Sequence, residues 1–160
     1  MVLLGNITPE VYQECRSILE GSNRITDLVI GSYVCPFENV TELDLSKYPK
    51  LKTLKIGHNS FRYVKELKLI GLNDLESVVV GKSSFVKEDW SALRSDGHLY
   101  LKDCPKLREL KMGRESFYDY AVIEIDNCGM EVIEMGDLNE RSCNFYWASL
   151  ELKSILIHSE

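Results

Sequence analysis

Apolar residues recur along the chain in one fixed frame of eleven positions. The frame has apolar residues at positions 1, 4, 6 and 11 and glycine at position 7, and its most complete copy runs from Leu51 to Phe61. Two further segments repeat the whole frame and two keep its first seven positions: 75–85, 107–117, 25–31 and 130–136. A frame that recurs in this way predicts a repeat architecture, in which each unit buries its apolar face against its neighbours.

A second set of segments lies between the copies of the frame. Each alternates apolar with polar residues, which is typical of a strand with one face toward solvent. These segments are 40–45, 64–69, 98–101, 122–125 and 149–152. The two sets together predict coils of two strands and two turns that stack into two parallel sheets. The predicted fold class is therefore a β-rich solenoid of about five coils, forming a single domain over residues 25–160.

A short amphipathic helix is predicted before the first coil, within residues 1–24. Thr8 can cap the free N–H groups of a first helical turn, Pro9 fits that turn, and Gly21 ends the helix. Apolar residues fall on one face at helical spacing: Val11, Tyr12, Cys15, Ile18 and Leu19. We expect this face to cover the open end of the stack, because terminal repeats need a cap. Docking of the helix to a partner is the alternative.

The eleven-residue frame resembles the leucine-rich repeat over roughly residues 25–152. Five residues match the core pattern L-x-x-L-x-L-x-x-N-x-L of that family: Leu51, Leu54, Ile56, Asn59 and Phe61. The resemblance implies a scaffold that binds other proteins. The chain departs from the pattern because asparagine is kept only at Asn59; the equivalent positions hold Tyr33, Ser83, Glu115 and Leu138. We therefore expect the buried asparagine ladder of the family, which satisfies backbone groups along the turn, to be mostly missing.

Equivalent residues of adjacent coils should lie about 4.8 Å apart, so columns across the coils predict contacts. The glycines at position 7 form one column, which we expect to reflect a turn that every coil repeats. Phe61, Phe85 and Phe117 form a second column, expected to stack in the core. Cys104 and Cys128 share a third, for which a disulfide or buried free thiols are the two interpretations. Buried free thiols are favoured.

The composition of the chain limits which partners and which cellular compartment we expect. The net charge of −6 and the pI near 5.2 argue against a nucleic-acid or anionic-membrane binder, which would carry a clustered basic excess. The five cysteines are odd in number and lack a C-x-x-C pair, so their spacing gives no zinc or disulfide framework. The N-terminus lacks a signal-peptide pattern, and no apolar stretch approaches the length of a membrane span. We expect a protein of a reducing compartment, the cytoplasm.

The sequence contains no clear motif for catalysis. The three histidines, His58, His98 and His158, occupy unlike positions and form no H-E-x-x-H motif. The Gly81-Lys82-Ser83 segment fails the phosphate-loop pattern, since Glu76 stands where the first glycine should be. We therefore expect no enzyme, no cofactor and no bound metal.

A binding surface is predicted on the outward face of the first sheet. The column between the second and third apolar sites reads Val29, Lys55, Val79, Lys111 and Glu134, and the preceding column reads Asp27, Thr53, Ser77, Glu109 and Val132. The candidate partner-binding residues are Thr53, Lys55, His58, Val79, Lys82, Glu109, Lys111, Glu134 and, in an inserted loop, Trp90. The alternatives are a merely solvated face, the more polar opposite sheet, and self-association of a repeat-array fragment through its ends to form a homo-oligomer.

Overall fold

The computed structural model describes residues 8–86, 96–136, 144–145 and 148–153. Within these residues the chain forms a β-solenoid of about four turns with two parallel sheets and one N-terminal helix. The predicted fold class is confirmed. The apolar side chains of both sheets point inward and make one continuous core along the solenoid axis.

The front sheet consists of the strands that the eleven-residue frame supplies. In order across the sheet these are β1 (Asp27–Ile30), β3 (Thr53–Ile56), β5 (Ser77–Val80), β7 (Glu109–Met112) and β9 (Val132–Met135). Each strand pairs in parallel with the equivalent strand of the next coil, position for position, so the predicted columns exist. Inward and outward residues alternate because successive side chains of a strand point to opposite faces.

The back sheet consists of the alternating segments, again paired in parallel. Its strands, in chain order, are β2 (Glu42–Asp44), β4 (Glu66–Ile70), β6 (Gly97–Cys104), β8 (Tyr120–Cys128) and β10 (Ser149–Lys153). Leu67, Leu69, Leu99 and Leu101 are almost completely buried against the front sheet. Cys104 and Cys128 lie in register on β6 and β8 as buried free thiols, as predicted.

Helix α1 (Pro9–Glu20) lies against the first coil. The Thr8 hydroxyl oxygen accepts a hydrogen bond from the Val11 N–H at 3.4 Å, and Pro9 occupies the first turn, as the sequence predicts. Ile18 and Cys15 are buried in the core of the solenoid. The buried Tyr48 hydroxyl donates to the Ile18 carbonyl oxygen at 2.8 Å. The helix therefore contributes its apolar face to the core and is tied by a hydrogen bond to the turn after β2.

A disulfide joins α1 to the first coil, and here the sequence-based expectation is wrong. Cys15 of the helix and Cys35 of the turn after β1 are bonded, with their sulfur atoms 2.01 Å apart. The expectation failed because no spacing motif marks the pair: 20 residues separate them, and only the docking of the helix brings them together. The expectation of a reducing compartment rested partly on the absence of a disulfide framework, and it loses that support.

Three glycines of the column, Gly57, Gly81 and Gly113, are required by the close approach of adjacent coils. A Cβ atom on Gly81 would lie 2.6 Å from the Gly57 carbonyl carbon and 2.7 Å from its oxygen, which is too close for any side chain. Gly57 meets the backbone of Gly31 and Ser32 in the same way. The turn itself does not demand Gly57 or Gly81, because the left-handed residues lie further along it, at the positions of Asn59 and Phe61 in every described copy. Gly136, at the end of the column, differs and has a left-handed φ of 47°. Close approach, rather than the turn geometry we expected, explains Gly57, Gly81 and Gly113.

A ladder of buried serines joins successive coils. The Ser84 hydroxyl donates to the Gly57 carbonyl of the preceding coil at 2.8 Å and accepts from the Ser60 N–H at 3.2 Å. Ser60 makes the equivalent bonds with the Gly31 carbonyl and the Val34 N–H. Ser116 continues the pattern, and the Asn144 amide takes the same place at the next step. These side chains satisfy buried backbone groups that would otherwise lose hydrogen bonds.

The phenylalanine column stacks as predicted. The rings of Phe61 and Phe85 lie 5.3 Å apart and 13° from parallel, and those of Phe85 and Phe117 lie 4.7 Å apart and 5° from parallel. Phe145 adds a further ring, 5.2 Å from Phe117. Each of these residues directly follows a member of the serine ladder, so one turn supplies both the polar and the apolar contacts between coils.

Replacing Gly81 by alanine tests the close approach of the coils. We expect Gly81→Ala to lower the free energy of unfolding by about 2–3 kcal/mol, because the added Cβ overlaps the Gly57 backbone. Gly31→Ala is the matched control in the same column: its Cβ would meet only side-chain atoms at 3.8 and 3.9 Å, so it should change stability by no more than about 0.5 kcal/mol. Equal urea unfolding midpoints for the two variants would contradict this explanation.

Replacing Ser84 by alanine tests the serine ladder. We expect Ser84→Ala to cost about 1–3 kcal/mol, because the Ser60 N–H and the Gly57 carbonyl would each lose a buried partner. Ser17→Ala on the exposed side of α1 is the control and should stay within about 0.5 kcal/mol of the parent. The measurement is reversible thermal unfolding followed by circular dichroism. A Ser84→Ala protein as stable as the Ser17→Ala protein would show that the ladder does not stabilise the fold.

Candidate binding face on the front sheet

Two outward columns of the front sheet hold most of the residues that the sequence predicts to bind a partner. Lys55 lies in register with Val29 on one side and Val79 on the other, and the column continues to Lys111 and Glu134. The neighbouring column runs from Asp27 to Val132 through residues on every intervening strand. The parallel register places equivalent side chains side by side, so both columns form one continuous surface.

Hydrogen bonds within the sheet occupy part of this surface at its first coils. The Thr53 hydroxyl donates to Asp27 Oδ1 at 2.6 Å, and the Thr26 hydroxyl donates to Oδ2 at 2.8 Å. These two hydrogen bonds lower the pKa of Asp27, since they favour the charged carboxylate. Thr53, a predicted site residue, is therefore engaged by its neighbour.

An ion-pair group occupies the same face at the later coils. Lys111 Nζ lies 2.7 Å from Glu109 Oε1 and 3.8 Å from Glu134 Oε2, while the Ser77 hydroxyl donates to Glu109 at 3.0 Å. The hydrogen bond with Glu109 raises the pKa of Lys111, and the bonds from Lys111 and Ser77 lower that of Glu109. Both groups stay charged, and each is already matched by an opposite charge.

The Val29–Lys55–Val79 part of the column is different, because its side chains have no such partners among the described residues. Val29 is 71% exposed on β1, the edge strand of the sheet. Lys55 is exposed, and no ion pair to it is found within the described part of the chain. Val79 is half-buried beside it on the central strand β5. An exposed cation between two valines can gain contacts when another molecule covers it.

A basic ridge borders the front sheet, formed by the residue after each glycine in three coils: His58, Lys82 and Arg114. The Lys82 backbone N–H donates to His58 Nδ1 at 3.0 Å, and the His58 N–H donates to the Ser32 hydroxyl at 2.9 Å. The side chain of Lys82 is exposed. Arg114 Nε lies 3.6 Å from Glu115 Oε1. Successive coils therefore place three nitrogen-bearing side chains in one line.

A shallow depression of about 560 Å³ lies between the ridge and the sheet. Five of the nine predicted site residues line it: His58, Val79, Lys82, Lys111 and Glu134. Its walls also include three glycines of the column, Gly81, Gly113 and Gly136. Lys55 lies next to Val79 in register, whereas Thr53 and Glu109 lie on the same face outside the depression. Trp90 lies outside the described residues.

The outward face of the back sheet carries a network of ion pairs. Its predicted column, Asp44, Lys68, Tyr100, Glu124 and Glu151, is present in register. Lys68 Nζ lies 2.9 Å from both Glu42 and Glu66, and these bonds raise its pKa. Glu124 contacts Lys102 at 2.8 Å and Lys153 at 3.2 Å, and the bond from Lys102 is the main cause of its lowered pKa. The charges of this face largely neutralise one another.

A second cavity, of about 340 Å³, was not foreseen from the sequence. It lies beside the turns that lead into the back sheet, and Arg62, Lys65, Asp119 and Tyr120 are among its walls. Tyr120 is fully buried there, and its hydroxyl donates to the Val64 carbonyl at 2.8 Å, while burial raises its pKa. Lys65 forms an ion pair with Asp96. The residues come from four coils, so no local motif could have revealed the cavity.

No group of three or more His, Cys, Asp or Glu side chains that could hold a metal ion occurs among the described residues. Across the same ranges, no helix has the length and apolar character needed to span a membrane. Comparison of the chain with protein-family models, with curated proteins and with solved structures finds no match.

Proposed function

We propose that this chain is a protein-interaction module of the leucine-rich-repeat type, which binds another protein without catalysis through the outward face of the front sheet. The observation that carries the proposal is the contrast between the two sheets. The back sheet matches its charges internally, while the front sheet leaves Val29 and Lys55 exposed and the bordering ridge leaves Lys82 exposed. Neither lysine has an acidic partner among the described residues. Surfaces of this kind gain most from the contacts of a partner.

The serine ladder supports the leucine-rich-repeat interpretation despite the missing asparagines. In that family a buried asparagine side chain satisfies backbone groups along each turn. Here Ser60, Ser84 and Ser116 bond backbone groups of the preceding coil one position further along the frame, and Asn144 extends the series. The same backbone requirement is thus met by a shorter side chain, which suits coils whose glycines bring the backbones unusually close.

Self-association through the end of the solenoid is the second candidate function. Ile133 and Met135 on β9 are in register with the buried Leu110 and Met112, yet they are 39% and 47% exposed. Leu150 on β10 is 55% exposed. A concentration-dependent dimer in sedimentation velocity that the Leu150→Glu change abolishes would favour this candidate. A monomer at every concentration would remove it.

Reversing the charge of Lys55 tests the proposed function. Peptides selected from a random displayed library on the parent protein should bind the Lys55→Glu variant less tightly by about 1 kcal/mol, roughly fivefold, because the exposed cation lies on the proposed contact surface. Fold and stability should not change, since Lys55 forms no ion pair within the described residues. Isothermal titration calorimetry gives the affinities.

Lys50→Glu is the control for this experiment. Lys50 is exposed and precedes β3, so the same change of charge falls at the opposite end of that strand from the basic ridge. Its affinity for the selected peptides should equal that of the parent. Equal weakening by both substitutions would mean that net charge alone matters. Failure of the selection to yield any ligand sensitive to Lys55 would contradict the proposed function.

A further inference from the structure

We infer that the depression beside the basic ridge receives an extended, carboxylate-rich segment of the partner protein. The inference rests on the proposed function and names the chemistry of the segment that is bound. It assigns to His58 and Lys82 the recognition of carboxylate groups, and to Val79 and the glycine column the floor on which the segment lies.

Positive charge exceeds negative charge among the residues that line the depression. Lys111 is matched by Glu109 and Glu134, and Arg114 by Glu115. The exposed Lys82 lines the depression and lacks an acidic partner among the described residues. Lys55 lacks one as well, but it lies outside the depression. A carboxylate of another molecule would complement the charge of Lys82.

The hydrogen bond to the His58 ring fixes which of its nitrogens can donate. Because the Lys82 backbone N–H donates to Nδ1, the proton of the neutral ring lies on Nε2. The side chain is exposed, so this second N–H is available to an acceptor outside the protein. His58 therefore offers a hydrogen-bond donor in the coil next to that of Lys82, and both residues line the depression. A segment with several carboxylates that lies there can contact both residues.

The ridge has the length of a short extended segment. The ridge crosses three coils, or about 10 Å at the spacing of parallel strands. An extended segment advances about 3.4 Å per residue, so three to four residues match that distance. Gly81 and Gly113 present no side chain on the wall of the depression, and Val79 offers an apolar contact. A narrow, flexible backbone with acidic side chains fits this site better than a bulky folded surface.

The limited positive charge of the ridge disfavours a broad anionic surface. A membrane or a nucleic-acid backbone is bound by a clustered basic excess, whereas Lys82 is the ridge cation that lacks an acidic partner among the described residues. Arg114 is already paired with Glu115, so the ridge lacks a free guanidinium of the kind that binds phosphate by two hydrogen bonds. The carboxylates of an acidic peptide are therefore the matching ligand.

Fluorescence anisotropy with defined peptides tests this inference. The probe is a labelled peptide of about 12 alternating Asp and Ser residues, long enough to cross the ridge. The controls are the isosteric Asn–Ser peptide, a phosphoserine version and phosphatidylserine vesicles. We expect the parent to bind the Asp–Ser peptide at least about tenfold more tightly than the Asn–Ser peptide, and the affinity to fall as ionic strength rises from about 0.05 to about 0.3 M.

Variants assign the binding to the ridge. We expect Lys82→Glu to weaken binding of the Asp–Ser peptide about tenfold and Lys82→Gln about threefold, whereas Lys50→Glu should match the parent after correction for net charge. The inference is overturned by equal binding of the Asp–Ser and Asn–Ser peptides, by a preference for phosphoserine or vesicles, or by equal losses at Lys82 and Lys50. Library-selected ligands that depend on Lys55 but contain no acidic residues would overturn this inference while leaving the proposed function intact.

Discussion

The close stacking of one coil on the next is the constraint on which the rest of this structure depends. Adjacent backbones approach so tightly at Gly57 and Gly81 that no side chain fits between them. Backbone groups buried by such stacking need partners, and the hydroxyls of Ser60 and Ser84 supply them across the coil boundary. Glycine leaves room for the close approach of the backbones, and the serine hydroxyls supply the hydrogen bonds that the buried backbone groups need.

The same stacking creates the candidate binding face. Because every front-sheet strand is held in register with the next, Val29, Lys55 and Val79 form one line across three coils. The residue after each glycine is held in the same way, and a hydrogen bond from the Lys82 backbone N–H to the His58 ring aligns these two residues. The residues of the proposed binding face are therefore positioned by contacts that lie beneath them and involve other residues. We expect substitutions on the face to leave the stack unaltered.

The sequence predicted the fold and the columns well, since both follow from periodicity. The period of two along a strand places Leu54 inside and Lys55 outside, and the recurring frame aligns each with its counterpart in the next coil. The phenylalanine stack followed from the same alignment. Comparison with the asparagine of the leucine-rich repeat obscured the serine ladder, because the hydrogen-bonding residue lies one position later. A search for hydroxyl or amide side chains at the same frame position in each copy would have found the serine ladder.

Contacts that depend on docking or on side-chain rotamers could not be predicted in this way. The Cys15–Cys35 disulfide exists because α1 packs on the first coil, and no spacing in the sequence reports that packing. The periodicity of the sequence places both Lys68 and Lys55 on the outward faces of their sheets. Only the positions of Glu42 and Glu66 in space decide that Lys68 is neutralised, whereas Lys55 has no such neighbour in the part of the chain that the structure describes. The candidate site therefore emerged from what each outward residue contacts rather than from the fact that it faces outward.

Amide hydrogen exchange tests the central claim, that buried hydroxyls join the coils, most directly. The Ser84 N–H has the Ser116 hydroxyl as its acceptor, while the Gly81 N–H bonds the Ile56 carbonyl oxygen at 2.8 Å. In a Ser116→Ala protein, exchange at Ser84 should accelerate by about tenfold or more, with exchange at Gly81 changing much less. Unchanged protection of the Ser84 amide in that variant would contradict the claim.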